Sequence, residues 1–416
     1  MAKRLALFIT ATMAIFILAS CMPMNNTNLY QRSMVVSDNV VEERIMAKAH
    51  VDAGGGDHGN VRMLYLEGTP YEMGFQHGKL MREEIHSLYG KIMMIAKIFA
   101  SEDMMEEAYD LMDPYIPIEE KEEMRGLAHG ADIPLKVVHW VHAIPEVFEY
   151  DQKTRFSRFF KGTSCSNIAV FGKAAKDGKI YHLRVLDWIR LLGAQKNPLV
   201  IIHRPDMGHA SATFSYAGFI GCISGMNDQY MSFGEKGSGG APETIEGTPF
   251  PFLFRKLMRE ASSINDVERI LRSAKKTCAY VYMFTDAKAT DDLEKAAMFI
   301  VDRYSVVRVS DDQNQKRERA GRFPPLENII YFGVYPDKMY SQLTQNYGNI
   351  GPEVLMQITK YIAMDSNMQN VIFAPETLEA WVSNADNSWW GDKGRACNQK
   401  WYYFDLNKAL KSSLTR

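Results

Sequence analysis

Strand-like blocks that enclose helical blocks, behind a long and mostly helical stretch, predict an α+β fold built in layers. Three observations carry this. Apolar residues recur at helical spacing from Tyr71 to Ala100, at Met73, Leu80, Ile85, Leu88, Ile92 and Ile95. The texture changes at Gly162, after which short apolar runs alternate with turn residues such as Asp177-Gly178, Gly218, Gly225 and Asn227. Two helical patterns, Pro249–Ala261 and Ile264–Ala274, then interrupt the strand-like texture before it resumes.

Taken in order, the chain opens with Lys3 and Arg4 ahead of an apolar run from Leu5 to Ala19. That run is shorter than the ~20 residues a membrane-spanning helix needs, so residues 1–20 read as a secretory signal peptide. It ends Leu18-Ala19-Ser20-Cys21, which resembles the bacterial lipobox, where the Cys is lipidated and becomes the first residue. A signal cut by an ordinary peptidase, with Cys21 incidental, is the alternative. Residues 21–39 follow as a tether, and the body is expected to be extracytoplasmic, anchored to a bacterial membrane through Cys21. Residues 64–68 read as a strand closing on the turn Gly68-Thr69-Pro70. Tyr71 to Ala100, Glu102 to Tyr109 and Glu119 to Gly130 read as helices, the last capped by Gly130, so residues 40–164 are mostly helical. Strands are expected at Ser166–Phe171, Lys179–Leu186, Leu199–His203, Ala212–Tyr216, Phe219–Ser224 and Tyr230–Phe233. Beyond the two helices come strands at Ala279–Thr285, Ala297–Val301 and Ser305–Val309. A charged connector from Gln313 to Pro325 leads to a helix at Glu353–Ala363 and strands at Asn370–Phe373, Leu378–Val382 and Trp401–Phe404.

Of the 416 residues, 46% are apolar and 24% charged, which excludes a disordered, collagen-like or coiled-coil chain. Lysine and arginine total 48 against 50 aspartates and glutamates, and there is no long like-charge run, so nucleic acid is not an expected partner. The cysteines form no CxxC and no zinc spacing, and all ten histidines lie at or before His209. No metal and no cofactor are expected. An oxidising compartment would permit one or two disulfides among Cys165, Cys222, Cys278 and Cys397. Gly54-Gly55-Gly56 is not followed by Gly-Lys-Ser/Thr, so it is not read as a phosphate loop.

The chemistry gathers at Cys165, which follows the turn-like Lys161-Gly162-Thr163-Ser164 and opens a strand. A hairpin turning at Asp177-Gly178 would bring the end of the next strand, with Arg184 and Asp187, beside it. The thiolate is the attacking form and a free thiol has a pKa near ~8.5, so a neighbouring arginine would help and a carboxylate would hold the base. Spacing leaves two bases open. One is His182, on the same face as Arg184. The other arises if the chain is cut between Ser164 and Cys165, because the freed α-amine, pKa ~7.7–8.0, then sits on the nucleophile's own residue.

Several motifs together resemble a family. Glu67-Gly-Thr-Pro-Tyr-Glu-Met-Gly-Phe-Gln-His-Gly-Lys79, Met124-Arg-Gly-Leu-Ala-His-Gly-Ala131, Cys165-Ser-Asn-Ile-Ala-Val-Phe-Gly172 and Leu183-Arg-Val-Leu-Asp-Trp188 are similar to signatures of isopenicillin-N acyltransferase-like autoproteolytic acyltransferases and hydrolases. Gly221-Cys-Ile-Ser-Gly-Met-Asn227 and the stretch from Asn370 to Asp386 resemble later motifs of the same family. The core is also similar to choloylglycine hydrolases and, more distantly, phospholipase B-like proteins. The resemblance implies a four-layer αββα N-terminal-nucleophile sandwich, with residues 40–164 as the α chain and 165–416 as the catalytic β chain. It implies Cys165 as nucleophile, its freed amine as base, Asp187 near that amine, Arg184 beside the thiol and Asn227 as an oxyanion donor. Three positions depart from the pattern: Ser164 where many relatives have Gly, Val185 for Asn, and Tyr230 for Gly.

The leading expectation is therefore a lipid-anchored, self-cleaving hydrolase of linear amides, or an acyltransferase, working through an acyl-thioester on Cys165 and taking a small acylated substrate. A phospholipase B-like ester hydrolase and a catalytically silent ligand-binding lipoprotein are the alternatives. Trp389-Trp390 reads equally as an acyl-pocket wall or a surface loop clamp.

Overall fold

The central strands are buried along their whole length, and this decides the architecture. A strand covered on one side only would alternate buried and exposed residues. In β3 (Ser164–Val170), β4 (Tyr181–Asp187) and β13 (Asn367–Ala374) almost every residue is buried, so each face has a cover. These three form an antiparallel sheet with β12 (Ile329–Phe332), β14 (Glu379–Asn384) and β15 (Tyr402–Asp405), in the order β12-β3-β4-β13-β14-β15. The second sheet has nine strands: β1 (His50–Asp52), β2 (Arg62–Gly68), β5 (Pro198–Pro205), β6 (Ser211–Tyr216), β7 (Ser224–Asn227), β8 (Met231–Gly237), β9 (Tyr280–Asp286), β10 (Ala296–Val301) and β11 (Val306–Val309). Its neighbours follow that order, and β2 pairs with β5 in parallel. The computed structural model describes residues 39–52, 59–150, 164–238, 242–310, 323–388 and 391–411. Cys21 with the expected signal and most of the tether, Gly54-Gly55-Gly56, most of the charged connector and Trp389-Trp390 lie outside them.

The sheets face one another through Val200 and Phe214 on the larger and Val371, Phe373 and Phe404 on the smaller. Phe214 and Phe373 meet edge to face at 5.4 Å. The helices are α1 (Asn39–Met46), α2 (Pro70–Leu80), α3 (Arg82–Phe99), α4 (Glu102–Met112), α5 (Ile118–Ala131), α6 (Leu135–Tyr150), α7 (Phe250–Glu260), α8 (Ile264–Ser273), α9 (Asp292–Lys295), α10 (Pro336–Gln345), α11 (Pro352–Ile362) and α12 (Asn407–Lys411). On the smaller sheet, Met339 and Leu343 of α10 and Leu355 and Ile358 of α11 cover Ile168, Leu183 and Val185. On the larger, Leu253, Leu257 and Val267 of α7 and α8 cover Phe233 and Phe284. Helices from the N-terminal segment cover its other end at Leu64, Leu66, Leu199 and Ile201. The result is the expected α+β sandwich in four layers, αββα, with the helical N-terminal segment packed on one outer face.

Local chemistry explains most of the elements and the departures. At Thr69 a capping box starts α2: its hydroxyl accepts from the Glu72 N–H (3.2 Å) and Glu72 Oε2 accepts from the Thr69 N–H (3.0 Å). The helix expected over 71–100 is two helices, broken at Met81. α6, β12 and α10 had no singled-out signal, since Pro145 sits inside α6, β12 is only four residues long, and α10 buries only Met339 and Leu343. Of the strand expected at Phe219–Ser224, only Ser224 joins β7, and the stretch 219–223 is not a strand. Its N–H groups bond elsewhere: Gly218 and Ile220 donate to His77 Nε2 (2.9 Å) and His142 Nε2 (3.1 Å), and Cys222 donates to the Pro251 carbonyl (3.0 Å). The strand expected at Tyr230–Phe233 starts at Met231, because Tyr230 takes a left-handed φ of 58° in the turn before it. Cys165, Cys222, Cys278 and Cys397 are all buried and unpaired with one another.

Candidate active site

β3 and β4 fix the nucleophile candidate. Their antiparallel register pairs Ser164 with Asp187, Cys165 with Leu186, and Asn167 with Arg184. Residues two apart share a face, so Cys165, Asn167, His182 and Arg184 lie on one face and Ser164 and Asp187 on the other. Arg184 Nη2 stands 3.2 Å from Cys165 Sγ and 2.5 Å from Glu235 Oε1, and the thiol is 3.7 Å from that same oxygen. Glu235 reaches them from the larger sheet. The pairing of β7 with β8 ends at Ser224–Gly234, so Glu235 lies just past it while still paired with Tyr282 of β9. Gly234 makes the approach feasible: a Cβ there would lie 2.2 Å from Asn167 Oδ1. Asn167 Nδ2 donates to the Glu235 carbonyl at 3.0 Å, tying the sheets together beside the thiol.

The electrostatics of this cluster oppose one another. Burial pushes the Cys165 thiol well up, Arg184 pulls it down, and Glu235 adds to the rise. Burial also raises the Glu235 carboxyl against the pull of Arg184. Arg184 keeps donors in hand: among the described residues, its Nε and Nη1 make no hydrogen bond. These N–H groups are available to a substrate carbonyl or a developing oxyanion.

Asp187 sits across the strand pair from Ser164. Its Oδ1 accepts from the Met364 N–H (3.2 Å) and Asn367 Nδ2 (3.0 Å). Its buried Oδ2 has no partner among the described residues. Burial lifts the carboxyl to about 7, against the Met364 and Asn367 hydrogen bonds and Arg184.

Two other sequence candidates lie apart from the thiol. His182 pairs with Ala169, four positions along the strand from Cys165, a span of roughly 13 Å. Its ring is engaged by Ser232 Oγ (2.8 Å) and Asn167 Oδ1 (3.1 Å), and burial lowers its pKa to about 3. Asn227 uses its amide on helix ends, with Nδ2 donating to the Met258 (3.1 Å) and Ala261 (2.9 Å) carbonyls. The structure thus brings Arg184 and Glu235 to Cys165 and Asp187 to Ser164. Glu235, Asn167 and Asn367 had no sequence signal, since they reach the hairpin only through sheet stacking and strand pairing. Among the described residues, no group of three His, Cys, Asp or Glu side chains could hold a metal ion.

Fold and site together define an αββα protein with a buried Cys–Arg–Glu cluster at the start of an inner strand. No family model matches the chain. Protein dcd1A of Dictyostelium discoideum is 28% identical over 318 residues, covering 67% of this chain and 66% of its own. Protein dcd1B of the same organism is 26% identical over 347 residues, covering 73% and 64%. An uncharacterized protein of Archaeoglobus fulgidus is 24% identical over 385 residues, covering 83% and 58%. The chain therefore spans just under two thirds, or less, of these relatives. Among solved structures, a Caenorhabditis elegans ortholog of N-acylethanolamine-hydrolyzing acid amidase matches with TM-score 0.40 and 10% identity, covering 51% of this chain and 93% of that one. A variant of the conjugated bile acid hydrolase from Clostridium perfringens matches with TM-score 0.38 and 10% identity, covering 59% and 93%. Likeness this distant assigns no residue and no substrate.

Proposed function

We propose that the chain is a self-cleaving cysteine hydrolase of linear amides, or an acyltransferase using the same acyl-enzyme, with Cys165 as nucleophile. The observation that carries this reading is the placement of one group at each residue of the Ser164–Cys165 pair. Arg184 stands 3.2 Å from the Cys165 thiol, and the unclaimed Asp187 oxygen belongs to the residue paired with Ser164.

In this reading the Ser164–Cys165 peptide bond is cut, and the α-amine of Cys165 becomes the base while Asp187 holds it in place. The amine takes the thiol proton as sulfur attacks the substrate carbonyl, forming a carbon–sulfur bond. The N–H groups of Arg184 offset the charge on the carbonyl oxygen; such donors typically contribute ~2.7–4 kcal/mol to the barrier. The carbon–nitrogen bond then breaks, and the departing amine receives the proton held by the α-ammonium. An acyl-thioester remains. Water, activated by the α-amine, releases the acid, or an acceptor amine takes the acyl group. Glu235 balances the guanidinium charge and fixes its direction.

Mass spectrometry of the purified protein tests the first step. Two chains are expected, one ending at Ser164 and one starting at Cys165, whereas Cys165→Ala should give a single chain. An uncut wild type that still turns over amides would remove the α-amine from the mechanism.

A further inference from the structure

One buried hydroxyl near the thiol lacks a partner. Tyr216, the last residue of β6, is 4% exposed, and among the described residues its hydroxyl makes no hydrogen bond. The strands fix where it points. Phe214 lies two positions earlier, hence on the same face, and meets Phe373 of the smaller sheet, so Tyr216 also points between the sheets. Its level is set by β8, which runs parallel to β6 because β7 pairs antiparallel with both. Ala212 of β6 and Ser232 of β8 share a row through Met226, and Ser232 Oγ engages His182 at 2.8 Å. Two positions on, a Cβ at Gly234 would lie 3.0 Å from Arg184 Cγ, so β8 and β4 advance together. β6 advances with them. Tyr216, four positions past Ala212, therefore reaches the level of Leu186, which is four past His182 and paired with Cys165. Tyr216, Leu186 and Cys165 accordingly belong to one core cluster, and the Arg184 charge acts on the phenol.

The space at this level is lined for a polar guest. Facing Tyr216, the smaller sheet carries the row Cys165, Leu186, Gln369 and Asn384. Gln369 Oε1 and Asn384 Oδ1 are buried without a partner among the described residues, as are Arg184 Nε and Nη1. Buried polar groups are costly unless they are hydrogen-bonded, and here such groups from both sheets meet beside the thiol. Burial foremost pushes the Tyr216 phenol above its ordinary range, against the pull of Arg184, so it keeps its proton and can donate. Asn227, the donor expected from the sequence, has its amide committed to the Met258 and Ala261 carbonyls.

We propose that the Tyr216 hydroxyl donates to the carbonyl oxygen of the substrate, beside the N–H groups of Arg184, and is a catalytic residue of the amide hydrolysis. The role rests on the acyl-enzyme reading above. As the Cys165 sulfur bonds the carbonyl carbon, the carbonyl electron pair moves onto oxygen and is held by both donors. When the carbon–nitrogen bond breaks, the pair returns and the phenol keeps its proton. Tyr216→Phe tests this, since it removes one oxygen atom and keeps the ring. Single-turnover acylation of Cys165 by an N-acyl anilide, followed by mass spectrometry, should slow roughly 10²–10³-fold, with substrate affinity little changed. The denaturant midpoint should not fall, because no hydrogen bond of the fold is lost. Acylation at the wild-type rate overturns the role and leaves the hydrolase reading standing. A lowered midpoint shows the hydroxyl bonded within the fold and overturns the role as well. A variant that stays uncut before Cys165 assigns the hydroxyl to self-cleavage and removes it from the substrate. If wild-type Cys165 takes no acyl group from any amide offered, the hydrolase reading fails and the role falls with it.

Discussion

At Asn227 two amide hydrogens meet two carbonyls at the end of α7, those of Met258 and Ala261, while Oδ1 accepts from the Gln229 and Met231 N–H groups. All four hydrogen-bonding positions are thereby used on structure. The sequence motif ending in Met226-Asn227 implies an oxyanion donor, and the two roles predict different losses. Asn227→Ala strands buried carbonyls, which should cost about 1–3 kcal/mol of stability. The folded fraction should retain its turnover. A fall of roughly 10²–10³ in turnover with an unchanged unfolding midpoint would instead restore the oxyanion role. The case shows what a sequence can say about a site. Cys165, Arg184 and Asp187 were legible because one hairpin turn at Asp177-Gly178 sets their register, and a register fixes faces. Glu235 was not legible, because its position depends on how two sheets stack and on where the β7–β8 pairing stops. His182 shares the face of Arg184 as its spacing implies, but a shared face does not mean contact four residues further along the strand.

Among elements, the crossing of α2 and α5 is the tightest contact in the N-terminal segment. A Cβ at Gly74 would lie 2.0 Å from the Glu123 carbonyl oxygen, and one at Gly130 would lie 2.1 Å from that of Phe75. Both collisions are with backbone, which cannot swing aside as a side chain can. Helices ordinarily pack with axes 8–10 Å apart, and here the absent side chains let the backbones touch. Gly130→Ala should therefore destabilise the protein by about 1–3 kcal/mol or more, lowering the denaturant midpoint without touching the thiol. An unchanged midpoint would mean that the helices separate at little cost. The two glycine-bearing motifs, over 67–79 and 124–131, thus find a physical reason in one interface. Gly130, expected as a helix cap, does this work instead, and Asp132 takes the left-handed cap at φ 57°. Strongly periodic helices and hairpin strands were readable. The turn over 217–223 was not, since its hydrogen bonds go to histidines more than seventy residues away in the chain.

On the scale of the whole molecule, cutting the chain before Cys165 would leave two pieces that share one sheet and one buried polar network. β1 and β2 belong to the first piece and pair, through β5, with the second. Glu123 and Glu120 of α5 bond Arg255 at 2.7 Å and Arg259 at 2.6 Å in α7. Other buried groups make stability depend on pH from both sides. His77 and His142 accept N–H groups only as neutral rings, and burial foremost lowers them to about 3 and about 4; His182 is likewise lowered to about 3. Their stabilisation is complete above the unfolded value near 6.5 and is lost as pH falls below it toward the folded values. Glu146, Glu149 and Asp187 behave oppositely, since burial foremost raises them to about 7, about 8 and about 7. Their share is complete near pH 4 and is lost as pH rises toward 7–8, where the folded protein must ionise them. The two sets oppose each other between about pH 4.5 and pH 6.5, so their slopes largely cancel in that window. Denaturant midpoints of the uncut Cys165→Ala protein, measured between pH 4 and pH 9, should pass through a maximum there. Glu149→Gln should flatten the alkaline side and leave the acid side in place. A profile that rises or falls steadily across the range would show that one set of buried groups is already paired as an ion in the folded state.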